Sequence, residues 1–485
     1  MTNAAADPVS NPLLDFSGLT RFDEIKPEHI KPAIDTLLQR CRSVVARLQA
    51  PEPQVTWTSF VEPLENVTEE LGRAWSVIGH LNAVVDTPAL RAAYNDNQAR
   101  VVAFWTELAQ DQALFEKYRA LKASSDFPDS SRAQRAVVEH ALRDFRLGGA
   151  ELEADKKQRF AAIQEQQAAL TTRFSENILD ATNDFELLIE DETELSGLPD
   201  DVKQAARLAA QQDSHTGFKF TLHFPSYFPV LQYADRRALR EQIYHANATR
   251  ASDLGSDFSR PQDWDNTQNM ADILKLRHEE AVLLGFNNFA ELSLEAKMAS
   301  SPAEVIDFLQ DLAQRARPFA EKDIAELRAF AHQELGLQQL EAWDITYASE
   351  KLRQQRYAFS EQEVKQYFPE SKVIAGLFDT AQKLFSITIK PDLAPVWHKD
   401  VKFFRIERQT TQGNHLIAQF YLDLYARNGK RGGAWMDDAR AHRRTPDGVQ
   451  TPIAYLTCNF SPPPVRDGQL QAATFTHDEV ITLFH

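Results

Sequence analysis

Histidine beside carboxylate is the combination from which metal sites and general bases are built. The segment THDEVITLFH, residues 476–485, holds His477, Asp478, Glu479 and His485. His477 and His485 lie about 12 Å apart along a helix of ordinary rise, too far to share one ion while the helix is unbroken. His278-Glu279, in RHEEAVLLGF, has Val282 where a metal-binding face needs a second ligand. It reads as an ordinary surface turn of a helix. His398 and His415 stand at or beside strand-like runs and read as loop or sheet histidines. On its own residues His485 reads as a solvated imidazole, since one donor does not make a zinc site.

Other chemistries find less support. GKRGGAW, residues 429–435, lacks the GxxxxGK[ST] order of a phosphate cradle and reads as a mobile surface loop. AYLTCNF, residues 454–460, reads either as plain core or as an edge strand able to pair with an extended substrate backbone. Cys41 and Cys458 form no CxxC, which excludes a disulfide framework and fits a reducing compartment. Nothing near Cys458 in sequence lowers its pKa, so it reads as packing.

The elements that must position these residues are mostly helical. Only 17 of 485 residues are glycine, against about 7% in ordinary chains, which points to long elements and few tight turns. Ile30, Ile34, Leu37, Cys41, Val44 and Leu48 recur at steps of three and four before the break PEP, 51–53. Similar periodicity predicts helices around 66–84, 89–110, 131–145 and 154–182, and again over most of 230–387. FELLIE (185–190) and GFKFTL (217–222) read as short strands around a helical DDVKQAARLAA. DVKFFRIER (400–408), HLIAQFYLDLY (415–425) and TPIAYLTCNF (451–460) carry the β-branched and aromatic residues of a small sheet, with 426–444 as a basic loop between the last two. Thr476 followed by Glu479, ahead of Val480, Leu483 and Phe484, is a capping box opening a final helix. No stop signal follows it before His485, so the sequence reads as cut off there.

Charge and hydropathy narrow the partners. The formal net charge is −17, which repels phosphate backbones and argues against nucleic acid. The start, MTNAAADPVSNPLLDF, has neither the basic nor the apolar region of a secretory signal. No apolar run is long enough to span a membrane, and the cytoplasm is the expected location.

Taken together, TRFSENILDATNDF (172–185), RRALREQIYHANATRAS (236–252), LLGFNNFAELSLEAKMA (283–299), AWDITYASEKLR (342–353), FYLDLYARNGKRGGAW (420–435), AYLTCNFSPP (454–463) and FTHDEVITLFH (475–485) resemble successive blocks of the oligopeptidase A and thimet oligopeptidase type of zinc metallopeptidase. The resemblance covers the chain from about residue 20 onward. It implies that His485 is the first metal ligand of an HExxH helix. The general-base Glu, the second His and a downstream carboxylate ligand would follow His485. Zinc is then the implied cofactor and short peptides are the substrates, reached through a deep channel that excludes folded proteins. The implied fold is mainly α: a two-domain helical body with a small β-sheet, incomplete at its C-terminus. Residues 1–20 would be a flexible extension, 21–150 an N-terminal helical domain, and 151–485 the first part of the catalytic domain. A monomer is expected. Residues 1–485 alone are expected to be inactive and not to retain zinc. The rivals are a non-catalytic helical scaffold or peptide-binding fragment, and an enzyme completed by a separate chain.

Overall fold

The structure is a computed structural model that describes residues 11–485, except 52–53, 256–263, 412, 446–447 and 467–468. Its helices are α1 Pro27–Gln49, α2 Glu62–Val84, α3 Pro88–Ala109, α4 Gln112–Lys122, α5 Arg132–Leu147, α6 Ala154–Asp184, α7 Asp200–Gln212 and α8 Phe224–Tyr233. They continue as α9 Arg237–Thr249, α10 Thr267–Leu283, α11 Phe289–Leu294, α12 Pro302–Glu334, α13 Ala342–Tyr357, α14 Glu361–Lys365, α15 Glu370–Phe385 and α16 His477–Phe484. The strands are β1 Leu187–Ile189, β2 Phe218–Phe220, β3 Thr388–Pro391, β4 Lys402–Thr410, β5 Gly413–Tyr425 and β6 Trp435–Arg440. After them come β7 Arg443–Thr445, β8 Gly448–Gln450, β9 Ile453–Phe460, β10 Val465–Arg466 and β11 Gln469–Leu470. The fold is mainly α with a small mixed sheet, as the periodicity indicates.

The chain divides into two compact units, Met1–Ser175 with Thr267–Leu309, and Glu176–Asn266 with Gln310–His485. In the first, α1 buries the stripe Ile30, Ile34, Leu37, Cys41 and Leu48, with Val44 half-buried. Leu48 joins Phe60, Leu114, Phe115, Tyr118, Val138 and Phe145 in one apolar cluster. Arg159 of α6 grips Glu279 of α10 through two hydrogen bonds, at 2.5 and 2.6 Å. The His278-Glu279 turn is thus structural: His278 is exposed, and Glu279 serves an ion pair. The N-terminal extension was expected to run to residue 20, of which 1–10 lie outside the described residues. From Asn11 the chain is already tied down. The Asn11 side chain donates to the His29 carbonyl at 2.8 Å and accepts from the Leu13 amide at 3.0 Å, and Leu13 is buried.

In the second unit, β1 and β2 pair antiparallel and share an apolar cluster with residues of α7, α8 and α9. The larger sheet has strand order β3-β4-β5-β9-β6, with β5 and β9 parallel and the other neighbours antiparallel. Side chains alternate between its faces. Phe404, Phe420, Leu422, Cys458 and Phe460 pack with Val373 and Ile374 of α15 and with Val480 and Leu483 of α16. On the other face, Trp397 lies against Tyr421 and Tyr455, with ring centroids 5.1 and 5.6 Å apart.

Of the two readings of AYLTCNF, plain core holds and edge strand does not, and two loop expectations fail. β9 lies between β5 and β6, which occupies the edge. The basic loop expected over 426–444 contains β6 itself, hidden in sequence because Met436, Asp437 and Asp438 are exposed and lack apolar alternation. Nor is GKRGGAW wholly a surface loop. Lys430 is 1% exposed, its Nζ donating to Asp423 Oδ1 at 2.8 Å, to the Tyr425 carbonyl at 2.8 Å and to the Asp423 carbonyl at 3.2 Å. Gly429 and Gly433 flank it at φ +72° and +98°, values that favour glycine and let the chain turn the lysine inward.

Buried charge also joins helices in this unit. Asp344 of α13 is fully buried, with Arg240 of α9 at 2.7 Å and Arg237 at 2.7 Å. Burial pushes the Asp344 carboxyl up, but hydrogen bonds from Arg237 and Arg240 outweigh it and hold the group below the ordinary carboxylate range. Replacing Asp344 by Ala leaves Arg240 charged and without its carboxylate partner in the interior. The expected loss is about 3–5 kcal/mol, measured by urea unfolding. Because the folded carboxyl is depressed, its contribution is complete above an unfolded pKa of about 3.9 and is lost as pH falls below it. Wild type should therefore lose stability below about pH 4 more steeply than Asp344→Asn. Equal stabilities and equal acid slopes would contradict this role.

Candidate functional site

α16 is a helix of eight residues, too short to hold itself in water. Its first amides have no partner within the helix and must find acceptors elsewhere. The expected capping box is present: the Glu479 amide donates to Thr476 Oγ1 at 3.1 Å, and the Thr476 amide donates to Glu479 Oε2 at 2.8 Å. Glu479 also accepts the Ser461 amide at 3.0 Å, fastening the helix to the segment that follows β9. Burial pushes the Glu479 carboxyl up, against the amides of Thr476 and Ser461 that favour its charge.

Two further contacts fix the helix start. The His477 amide donates to Glu361 Oε1 at 2.7 Å, across 116 residues of sequence. Ahead of the helix, the Phe475 amide donates to the Phe368 carbonyl and the Glu370 amide to the Ala473 carbonyl, each at 2.9 Å. Val480 and Leu483 then pack into the sheet's apolar cluster. Ile481 and Phe484 are half exposed, and His485 closes the last turn with its amide on the Ile481 carbonyl at 2.9 Å.

Beside this helix start lies a cavity of about 390 Å³. Val202 and Leu208 of α7 and Phe224 and Phe228 of α8 give it apolar walls, and Glu361 and Glu479 are among its polar groups. That is within the usual size of a small-ligand pocket. Lys365, also lining it, is paired with Asp201 at 2.9 Å.

His477 opens the same helix as His485 but is not grouped with it as a metal donor. His477 is exposed and stacks on Phe368 at a centroid distance of 6.2 Å. His398 accepts the Asp400 amide at 3.3 Å, and burial lowers its pKa first, with Arg427 adding to the effect. His415 is exposed on β5 opposite Arg408. Among the described residues, no three His, Cys, Asp or Glu side chains are grouped so as to hold a metal ion. Cys458 is buried, and burial pushes its thiol up to about 12, in keeping with packing.

Sequence reasoning missed two groups that the geometry brings forward. Glu361 is buried although it opens a polar five-residue helix, and nothing in its local pattern marks it. Asp423 was more legible. An acid inside the apolar run FYLDLY must find a partner or remain uncharged. It accepts from Trp397 Nε1 at 2.9 Å, Arg427 at 2.7 Å and Lys430 at 2.8 Å. Burial raises its pKa, but those cations outweigh burial and leave it at about 2.

The sequence profile described as "Peptidase family M3" matches residues 230–485, and that of "Neurolysin/Thimet oligopeptidase, N-terminal domain" matches 34–157. Oligopeptidase A of Haemophilus influenzae is 46% identical over 98% of this chain and 69% of its own length. Oligopeptidase A of Escherichia coli is 45% identical over the same shares. An organellar oligopeptidase A of Arabidopsis thaliana is 38% identical over 98% of this chain and 60% of its own length.

The start of α16 depends on Glu479 presenting two acceptor oxygens. Glu479→Gln turns one of them into an amide donor facing a backbone N–H. A destabilisation of about 1–3 kcal/mol is expected, the usual cost of a buried unsatisfied donor. Urea unfolding of the variant checks it, and unchanged stability would show that the two hydrogen bonds are not formed together.

Proposed function

Because the chain belongs to peptidase family M3, we propose that it forms the front part of a zinc-dependent metalloendopeptidase of short oligopeptides, with His485 as the first metal ligand. What supports this reading is the match of residues 230–485 to the family M3 profile, with His485 at the end of the last helix. A helix opened by Thr476 and Glu479 and held from outside by Glu361 brings that imidazole to its far end. In the HExxH pattern, two histidines one turn apart bind the metal and the Glu beside the first is the general base. Residues 1–485 contain only the first of these positions.

The implied zinc does not fit the donors present. A catalytic site of this type needs three protein ligands, and residues 1–485 offer His485 alone at that place. No step of the reaction is therefore derived through the metal. What the chain supplies is the support: the anchored helix, the sheet beneath it and the apolar cavity beside its start. The outermost strand on that side, β6, is where an extended peptide backbone would pair with the sheet, by strand addition. In the same reading, residues 21–150 form the N-terminal helical domain and 151–485 the first part of the catalytic domain. The protein is a cytoplasmic monomer with neither nucleic acid nor membrane as partner, in keeping with a net charge of −17. No described helix is long and apolar enough to cross a membrane. The incomplete donor set favours a second reading for residues 1–485 taken alone, a fragment that binds peptides without cleaving them.

The test compares residues 1–485 with a fusion in which the corresponding last part of the E. coli relative follows His485. Residues 1–485 are expected to hold well under one zinc per chain after dialysis, since missing ligands greatly weaken the metal's hold. They should also cleave no quenched fluorescent peptide. The folded fusion should bind one zinc and cleave the peptide in a chelator-sensitive way. His485→Ala in the fusion should lose the metal, and with it at least about 10²-fold in rate. Stoichiometric zinc with chelator-sensitive cleavage by residues 1–485 alone would overturn the assignment of His485. A folded, zinc-loaded fusion that cleaves nothing would overturn the function.

A further inference from the structure

We propose that Glu361 is a positioning residue for His485, acting through α16, and that Arg353 and Glu350 hold it to that task. The proposal deepens the reading of His485 as a metal ligand and rests on it. Glu361 opens α14, a separate element from the helix it serves. Its Oε1 accepts the first amide of α16 at 2.7 Å, and its Oε2 accepts from Arg353 of α13 at 2.6 Å. Arg353 is held in turn by Glu350, fully buried on the same helix, at 2.7 Å. Glu350 Oε1 also accepts the Glu361 amide at 3.3 Å. The acid that takes the His477 amide is thus fixed through both its side chain and its backbone.

A carboxylate is the right group for this place. The start of a helix carries partial positive charge, and an acid there is favoured both by hydrogen bonding and by the helix dipole. Thr476 and Glu479 already close a capping box within the local sequence, which settles where the helix begins. They do not settle its direction, since both belong to the segment being placed. Glu361 ties the first turn to α13 and α14, and Glu479 ties it to Ser461. Two attachments on different elements fix an axis. His485 lies about 12 Å from His477 along that axis, so a tilt of about 10° at the start moves it by about 2 Å. A functional side chain must be held within about 0.5 Å of its working position.

The test uses residues 1–485 without metal, so that its failure is separate from failure of the peptidase reading. Amide hydrogen exchange is followed in wild type, Glu361→Ala, Glu361→Gln and Arg353→Met. Loss of a hydrogen bond to a charged acceptor should speed exchange at His477 and the rest of the first turn of α16 by about 10- to 100-fold in Glu361→Ala. Exchange in β9 and α1 should stay unchanged. Glu361→Gln keeps an acceptor oxygen and should restore most of the protection, and Arg353→Met should fall between. A second readout places nitroxide labels at positions 485 and 415, both exposed, while the native cysteines Cys41 and Cys458 are buried. The distance distribution should broaden in Glu361→Ala and narrow again in Glu361→Gln. Unchanged exchange in α16, an unchanged distribution, or a loss of protection spread equally over β9 in the Ala and Gln variants would each overturn the proposal. If Glu361→Ala does not fold, the Gln and Met variants carry the test, and wild-type behaviour in Arg353→Met overturns the role of Arg353.

Discussion

A helix cannot satisfy its own first amides, and α16 begins with Thr476 half-buried and Glu479 buried. Those amides need acceptors that stay in place after folding. Thr476 supplies one from within the segment, and Glu361 supplies another from α14. Glu479 closes the arrangement by accepting the amides of Thr476 and Ser461. The placement of α13, α14 and the turn after β9 is bound up with this demand, because each brings a group that the helix start uses. The apolar contacts of Val480 and Leu483 stabilise the helix against the sheet. The hydrogen bonds at its start add directional constraints to that packing.

Buried charge recurs through the second unit, in Arg240–Asp344, Lys430–Asp423 and Glu350–Arg353–Glu361. Such pairs add little net stability over an apolar core of the same shape, since each ion must be stripped of water. Their consequence is asymmetry. Removing one partner leaves a charge that the interior cannot solvate, so the pairs strongly disfavour packings in which they are separated. Asp423 shows how this works. It sits on the face of β5 opposite the main apolar cluster, and Trp397, Arg427 and Lys430 all donate to it. The turn between β5 and β6 is drawn against the sheet as a result, although most of its residues remain exposed.

The long helices were readable because each must bury one stripe against a neighbour, and a stripe leaves a period of three to four in the sequence. Ile30 to Leu48 in α1 shows the pattern directly. The capping box of α16 was readable for a similar reason: both partners lie within four residues of each other. Pairings set by distant residues left no such trace. β6 escaped notice because an edge strand with a mostly exposed surface need not alternate, and AYLTCNF was therefore open to assignment as an edge. Lys430 lies among glycines and arginines that suit solvent, and only Asp423, seven residues earlier in an apolar strand, called for a cation. Glu361 could not have been found from its neighbours, since the amide it serves lies 116 residues away. The proposed role of His485 rests on the resemblance of whole blocks of sequence, because no second donor accompanies it among the described residues.

Within residues 1–485, α16 is formed and anchored, with His485 at its end. Backbone carbon chemical shifts of residues 1–485, with labelling selective for threonine, valine, isoleucine, leucine and phenylalanine, test it most directly. Helical shifts at Val480, Ile481, Thr482, Leu483 and Phe484 are expected, with an extended value at the cap Thr476 (ψ 164°). Random-coil or strand-like shifts across 480–484 would contradict it.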